Sequence, residues 1–124
     1  MSQTSLPRQR VYKTPAGVTL CALDVIADGA ARNFVLQIGD AFFHGFVVRK
    51  GEAVVGYVDR CPHQGLPLAK VLDGYLTPDG SLITCAWHGA LFRIDDGACI
   101  GGPCPGAKLT PWPVVVDGGF IKTA

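Results

Sequence analysis

Short runs of apolar and β-branched residues, separated by turn residues, follow one another along most of the chain. They predict strands at residues 18–23, 31–38, 42–49, 53–59, 81–84, 91–94, 114–116 and 120–122. Glycine-containing pairs separate the early runs, at Asp28-Gly29, Gly39-Asp40 and Lys50-Gly51. No segment has a sustained helical period, although residues 66–72 could form a turn or two of helix. The pattern therefore predicts an all-β fold, in which the early strands form an antiparallel meander.

The division of the chain follows from the same pattern. Residues 1–16 are expected to form an N-terminal arm, because they include Pro7 and Pro15 and show no sustained periodicity. Residues 17–124 are expected to form one domain, since 124 residues suffice for a single core. Gly and Pro, with 16 and 9 residues, favour short strands joined by tight turns. The strand pattern breaks twice between about residues 60 and 106, and the unusual residues lie in those breaks.

Charge and hydropathy limit the classes of partner. The net charge is +1 and no run of like charges is present, so we expect no nucleic-acid partner. Apolar stretches such as Val114-Val115-Val116 are far shorter than the roughly 20 residues that cross a bilayer, and residues 1–10 contain no apolar export signal. We therefore expect a cytoplasmic protein without membrane association. In that compartment cysteines are more often metal ligands than disulfide partners.

Each of the two breaks pairs a cysteine with a histidine. The first reads Cys61-Pro62-His63-Gln64-Gly65 and the second reads Cys85-Ala86-Trp87-His88-Gly89. One such pair arises easily by chance, but two pairs that each follow a predicted strand indicate a metal site. A single residue between Cys61 and His63 is too tight for the usual zinc knuckle, so a structural zinc domain is the minor alternative. Mixed ligation by two cysteines and two histidines suits a 2Fe-2S cluster of the Rieske type.

The sequence resembles the Rieske iron-sulfur proteins, whose C-x-H-x-G and C-x-x-H-G loops match these two motifs. The similarity extends over about residues 18–121 and includes Asp73-Gly74-Tyr75-Leu76, Phe92, Gly97, Gly101-Gly102-Pro103 and Trp112-Pro113-Val114. It implies an antiparallel β-sandwich or barrel base with a small cluster-binding subdomain. It also implies one 2Fe-2S cluster per chain, with Cys61 and Cys85 on one iron and His63 and His88 on the other.

The chain departs from the family pattern between the two motifs. That stretch is a few residues longer than usual, and Thr77-Pro78-Asp79-Gly80 predicts an enlarged hairpin turn within it. A turn at the surface can lengthen the connection without moving the ligands.

The branch of the family follows from three positions. Respiratory Rieske proteins carry a bracing disulfide where this chain has Leu66 and Trp87, and a serine hydroxyl donor where it has Ala90. Fewer donors to the cluster imply a reduction potential on the order of −150 mV rather than about +300 mV. The resemblance thus points to the ferredoxin and oxygenase branch. Residues 103–106 are expected to cover the cluster, with Leu66, Pro67 and Trp87 limiting the access of water.

The remaining cysteines and histidine have no predicted role in the site. Cys21 lies in a predicted strand and is expected in the core. Cys99 and Cys104 could approach each other, but we expect reduced thiols in a reducing compartment. His44 lies within the predicted strand at 42–49 and is expected to be an ordinary strand residue.

The residues available restrict the function to electron transfer. A mononuclear iron centre would need two more histidines and a carboxylate, but only three histidines are present and two are assigned to the cluster. No G-x-G-x-x-G fingerprint follows a strand, so no nucleotide site is predicted. We therefore expect a non-catalytic one-electron carrier between a reductase and a terminal oxygenase or similar acceptor. The alternative is a redox-sensing or binding subunit of a larger assembly.

Overall fold

The computed structural model describes residues 10–62, 67–87, 89–103 and 106–124. Within those ranges the chain forms strands and one short 3₁₀ helix, Leu23–Val25. The strands are β1 (Arg10–Val11), β2 (Thr19–Ala22), β3 (Ala31–Ile38), β4 (Ala41–Lys50), β5 (Ala53–Val58), β6 (Leu82–Thr84), β7 (Leu91–Arg93), β8 (Cys99–Gly101), β9 (Pro111–Trp112), β10 (Val114–Asp117) and β11 (Phe120–Thr123). The all-β prediction is confirmed. No helix in the described ranges is long and apolar enough to span a membrane.

Strand β4 is the centre of a five-stranded sheet. One edge of β4 pairs antiparallel with β3, from Ala31 opposite Val48 to Ile38 opposite Ala41. The other edge pairs antiparallel with β5, and beyond the end of β5 it pairs in parallel with the short strand β1. Strand β9 extends the sheet on the far side of β5. Two three-stranded sheets complete the fold, in the orders β10-β11-β2 and β6-β7-β8.

Strand β4 is buried on both faces, and its side chains alternate between two cores. Phe43 and Val47 enter one core, which also contains residues of β9 and β11. Phe46 and Val48 enter the other, which we call the site core because it contains both Cys61 and Cys85. The members of the site core are Ala31, Phe46, Val48, Tyr57, Cys61, Leu68, Tyr75, Ile83, Cys85, Ala90, Phe92, Ile94 and Leu109. The five-stranded sheet therefore lies between the β10-β11-β2 sheet and the small β6-β7-β8 sheet.

The predicted enlarged turn is present at Thr77-Pro78-Asp79-Gly80. The backbone N–H of Gly80 donates to the Thr77 carbonyl at 2.8 Å, and Thr77 N–H donates to Leu82 at 2.9 Å. The Asp79 carboxylate accepts hydrogen bonds from the Thr77 hydroxyl and from the backbone and hydroxyl of Ser81. These bonds lower the pKa of Asp79 to about 2, so the turn keeps its carboxylate acceptor at neutral pH. The extra residues are thus accommodated by local hydrogen bonding.

The structure differs from the sequence-based expectations in several places. Strand β2, expected in the antiparallel meander of the early strands, pairs with β11 in a separate sheet, and strands β8 and β9 were not predicted. Residues 67–72 contain no helical turn, so that prediction was wrong for the described part of 66–72; the carbonyl of Leu68 accepts a hydrogen bond from Ala86 instead. The described part of the expected N-terminal arm is attached to the five-stranded sheet. Arg10–Val11 pairs with β4, and the indole N–H of Trp112 donates to the Thr14 hydroxyl at 2.9 Å.

Candidate metal centre

The first predicted ligand follows directly from strand β5. The ladder between β4 and β5 continues one step past the strand, where Asp59 N–H donates to the His44 carbonyl at 2.9 Å. Cys61 then lies in the site core with none of its surface exposed. The Asp59 carboxylate accepts a hydrogen bond from the backbone N–H of Leu68 at 2.9 Å. This bond closes the base of the first loop, residues 59–68, which carries Cys61.

The second predicted ligand lies in the hairpin between β6 and β7. Cys85 N–H donates to the Ala90 carbonyl, and Gly89 N–H donates back to the Cys85 carbonyl, both at 2.9 Å. Cys85 and Ala90 are fully buried. The pairing of Thr84 with Leu91 fixes the two ends of this second loop, residues 85–90. The backbone of the hairpin therefore determines where the Cys85 thiol lies.

Two hydrogen bonds join the first loop to the second. Ala86 N–H donates to the carbonyl of Leu68 at 2.7 Å, and the indole N–H of Trp87 donates to the carbonyl of Pro67 at 2.6 Å. Leu68 is fully buried in the same core as both cysteines. Since Leu68 also donates to Asp59, one residue links strand β5, the first loop and the second loop. The two thiols are thereby held in one core.

A buried polar network supports the first loop from beneath. The Asp59 carboxylate, in a residue only 6 % exposed, accepts the Tyr75 hydroxyl at 2.8 Å and the Asn33 amide at 3.4 Å. The Asn33 amide also donates to the Tyr75 hydroxyl at 2.7 Å. Burial, and next the Asp59 charge, raise the pKa of Tyr75, so its hydroxyl stays a donor. Its ring stacks on Phe46 with centroids 4.1 Å apart.

The loop after β8 approaches the second loop closely. A Cβ atom at Gly102 would lie 2.6 Å from the Cα of Ala90 and 3.1 Å from the carbonyl oxygen of Gly89. Gly102 therefore lets two backbones meet beside Cys85. Residues 103–106 were expected to cover the cluster. Cys104 and Pro105 lie outside the described residues, so that expectation stays a prediction.

Replacing Gly102 by alanine is expected to destabilise the site more than the same change at Gly106. Both glycines have φ of +84°, but a Cβ at Gly106 meets nothing within 4 Å. The backbone strain is therefore matched, and only Gly102→Ala adds a clash, which we expect to cost about 2 kcal/mol more. Thermal unfolding and the half-life of cluster release should both separate the two variants. Equal losses in both would show that contact with Ala90 contributes nothing.

The surface above the cysteines is formed by exposed residues of both loops. Pro62, Pro67, Trp87 and Gly89 are all exposed, and Trp87 retains 43 % of its accessible surface. The ammonium of Lys70 lies 4.6 Å from the centroid of the Trp87 ring. Leu66, which was expected to limit water access together with Pro67 and Trp87, lies outside the described residues. Each cysteine is thus buried within two residues of an exposed position.

The other residues considered in the sequence are placed as follows. His63 and His88 lie outside the described residues. His44 lies in β4 as predicted, and burial, followed by the charge of Arg10, lowers its pKa. Cys21 is a half-buried residue of β2 opposite Ile121, where burial raises the pKa of its thiol. Cys99 lies in β8.

These features define an all-β protein in which two buried cysteines on hydrogen-bonded loops are each followed by a histidine. The sequence pattern of the family described as Rieske [2Fe-2S] domain matches residues 18–116. The chain therefore belongs to the Rieske [2Fe-2S] domain family and binds one 2Fe-2S cluster. Two fully buried thiols in one core suit this group, because cysteine thiolates are the usual protein ligands of iron-sulfur clusters.

Solved structures share the fold. The ferredoxin of carbazole 1,9a-dioxygenase from Nocardioides aromaticivorans IC177 is 24 % identical, with a TM-score of 0.68 over 89 % of this chain and 98 % of that one. A chain in a complex of reduced oxygenase and oxidized ferredoxin in carbazole 1,9a-dioxygenase is 25 % identical, with a TM-score of 0.70 over 90 % and 94 %. Sphingomonas yanoikuyae B1 ferredoxin is 23 % identical, with a TM-score of 0.64 over 86 % and 96 %. No curated protein matches the sequence.

Proposed function

We propose that this protein is a one-electron carrier whose 2Fe-2S cluster is held by Cys61, His63, Cys85 and His88. The observation that carries the proposal is the burial of both cysteines in one core, on loops that Leu68 joins by hydrogen bonds. A bound cluster of this type supplies reversible one-electron chemistry. The protein supplies two thiolates from the core and two imidazoles, from His63 two residues after Cys61 and from His88 three residues after Cys85.

The position of the loops supports transfer to another protein. Pro62, Trp87 and Gly89, the described neighbours of the two histidines, are exposed, whereas Cys61 and Cys85 are fully buried. Because the site lies one residue from the surface, a partner protein can approach it closely. The surrounding core keeps water away from the thiolates. We infer that residues 17–124 form the electron-transfer domain and that the chain has no substrate site of its own.

We assign the partners by chemical role. The chain adopts the fold of a ferredoxin found in complex with the oxygenase of carbazole 1,9a-dioxygenase. We propose by analogy that this protein takes electrons from a reductase and delivers them to an oxygenase-type acceptor. This assignment rests on the shared fold and on the exposed position of the loops.

We expect a low reduction potential, because the second loop offers few donors to a bound cluster. Ala90 is fully buried and has no hydroxyl group, and the indole N–H of Trp87 already donates to Pro67. Hydrogen bonds to a cluster stabilise its reduced form, so their scarcity favours a potential on the order of −150 mV.

Anaerobically purified protein tests this function directly. It should be red-brown, give a rhombic electron paramagnetic resonance signal after reduction, and titrate as a one-electron couple on the order of −150 mV. A potential near the upper end of the Rieske range, about +300 mV, would place the protein in the respiratory branch instead. Colourless protein that contains zinc would contradict the carrier function, and slow exchange of electrons with soluble mediators would favour a redox sensor.

A further inference from the structure

Three cationic side chains surround the base of the first loop. Arg60 immediately precedes Cys61, and Lys70 follows Leu68 by two residues, so the 2.9 Å bond between Asp59 and Leu68 draws both ends of the loop together. Both cations are exposed. Arg10, also exposed, pairs through β1 with Phe42 of β4, two residues from the His44 carbonyl that accepts Asp59 N–H.

Two of these cations are held over aromatic rings. The guanidinium carbon of Arg60 lies 5.3 Å from the centroid of the Tyr12 ring, and the Lys70 ammonium lies 4.6 Å from that of Trp87. A ring face attracts a cation and restricts its position without neutralising its charge. Among the described residues, the ion pairs join Arg49 to Glu52, Arg93 to Asp96 and Lys122 to Asp117. Within that part of the chain, Arg10, Arg60 and Lys70 take part in no ion pair.

Two carboxylates at this edge, Asp59 and Asp73, offset part of the charge of the three cations. Asp59 is buried and accepts three hydrogen bonds, and Asp73 accepts the backbone N–H of Asn33 at 2.7 Å. Asp28 and Glu52 lie at the β4–β5 turn, where Gly51 N–H donates to Asp28. The six residues of β5 separate that turn from Asp59 by about 20 Å. Three cations against Asp59 and Asp73 therefore leave an excess of positive charge beside the cysteines.

Exposed apolar side chains lie beside these cations. Val71 and Leu72, which directly follow Lys70, are 70 % and 82 % exposed, and Trp87 beneath Lys70 is 43 % exposed. Apolar surface of this kind next to charged residues is typical of a protein interaction site. We call the surface formed by Arg10, Arg60, Lys70, Val71, Leu72 and Trp87 the cationic face.

We propose that the cationic face docks a redox partner protein that presents carboxylates around an apolar patch. This inference rests on the proposed carrier function and specifies the chemistry of its partner. Fixed, unpaired cations would steer an acidic surface toward the loops that carry Cys61 and Cys85, and Leu72 and Val71 would then be buried against the apolar patch. Like-charge repulsion would turn away basic proteins.

The rates at which an anionic and a cationic metal complex oxidise the reduced protein report the sign of the charge on this surface. In a stopped-flow experiment at low ionic strength, one electron passes from the reduced cluster to hexacyanoferrate(III) or to tris(phenanthroline)cobalt(III), with no proton or bond change. Reversing two charges, in the double variant Arg60→Glu/Lys70→Glu, should slow the anionic oxidant about tenfold and accelerate the cationic one. Both effects should fade as salt is added.

Lys50→Glu is the matched control, because Lys50 is an exposed cation at the opposite end of β5. We expect it to change either rate less than twofold. Equal effects of Lys50→Glu and of a single Arg60→Glu or Lys70→Glu change would overturn the inference, since net charge alone would then explain the rates. Failure of the wild-type cluster to undergo reversible reduction would instead refute the proposed carrier function.

Polymers then probe the kind of partner. Poly-glutamate should slow oxidation of the wild type by hexacyanoferrate(III) and have little effect on the double variant. A glutamate–tyrosine copolymer should slow it further, and Leu72→Ser should abolish only that additional effect, because the apolar contact is lost while the cations remain. Protection by duplex DNA at equal charge that matches or exceeds that by the copolymer would overturn the assignment of a protein partner.

Discussion

Substitution of Cys61 or Cys85 by serine is expected to leave the purified chain without its iron-sulfur cluster. Each thiol is fully buried in the site core, and among the cysteines that the structure describes no other is a fully buried member of that core. A hydroxyl group is a much poorer ligand for iron than a thiolate, so neither variant should retain the red-brown colour. Iron and acid-labile sulfide should both fall to nearly zero per chain.

The chain provides a matched control in Cys21→Ser. Cys21 lies in β2 on the other side of the five-stranded sheet, where it packs against the core that contains Phe43 and Ile121. This variant should keep a full cluster and an unchanged visible spectrum. Because loss of the cluster could also follow from misfolding, circular dichroism of each variant should be compared with that of wild-type apoprotein. A cluster retained in Cys85→Ser, or lost in Cys21→Ser, would contradict the ligand assignment.

The two proposed histidine ligands, His63 and His88, allow the same comparison. His63→Ala and His88→Ala should each lose the cluster or its Rieske-type spectrum, since neutral imidazole ligands on one iron distinguish this centre from one with four thiolates. His44→Ala is the control, because His44 is a half-buried strand residue whose described link to the site is through its backbone carbonyl. Rhombic signals of equal intensity in His44→Ala and in the wild type would support the assignment.

The longer strands could be predicted from the sequence because local information is sufficient for them. Strands β3, β4 and β5 are apolar runs of six to ten residues bounded by glycine turns. The two-residue strands β1 and β9 have no such signal, and β9 even begins with a proline. Their strand geometry comes from pairing with β4 and β5, which lie far away in sequence. Tertiary pairing of this kind leaves no local periodicity to detect.

The sequence predicts candidate ligands for the site, but not the residues around them. Cys61 and Cys85 stand out because each precedes a histidine in a break between strands, but the residues that position them do not. Tyr75 is 16 positions from Asp59 and 42 from Asn33, and nothing in one sequence indicates that the three side chains meet. The cationic face was missed for a similar reason. Overall composition averages the charges of Arg60 and Lys70 with those of carboxylates at the far end of β5.

Removing the Asp59 carboxylate is expected to destabilise both the fold and the bound cluster, because this group supports the first loop from below. The two oxygens of Asp59 accept three donors, from Leu68 N–H, the Tyr75 hydroxyl and the Asn33 amide. Asp59→Asn preserves the size of the side chain but replaces one acceptor oxygen with an NH₂ donor. At least one buried donor then loses its acceptor, at a cost of about 1–3 kcal/mol in the free energy of unfolding.

The loss should appear at the cluster as well as in overall stability. Since Asp59 holds Leu68, and the Leu68 carbonyl holds Ala86, weakening the first bond loosens both loops. We expect cluster release from Asp59→Asn to be at least tenfold faster than from the wild type. Removing a negative charge two residues from Cys61 should also raise the reduction potential, by about 50 mV if the intervening medium screens as a typical protein does.

Two tyrosines separate this local effect from general destabilisation. Tyr75 and Tyr57 are 2 % and 1 % exposed, and each donates one hydroxyl hydrogen bond, to Asp59 at 2.8 Å and to the Ile94 carbonyl at 2.6 Å. Tyr57→Phe should therefore lower the free energy of unfolding by about 1 kcal/mol, and Tyr75→Phe by somewhat more, because the Tyr75 hydroxyl also accepts the Asn33 amide. Only Tyr75→Phe should accelerate cluster release, because only its hydroxyl contacts the carboxylate that holds Leu68. If both variants released the cluster at the same rate, the Asp59 network would be a feature of overall stability and would not specifically support the metal centre.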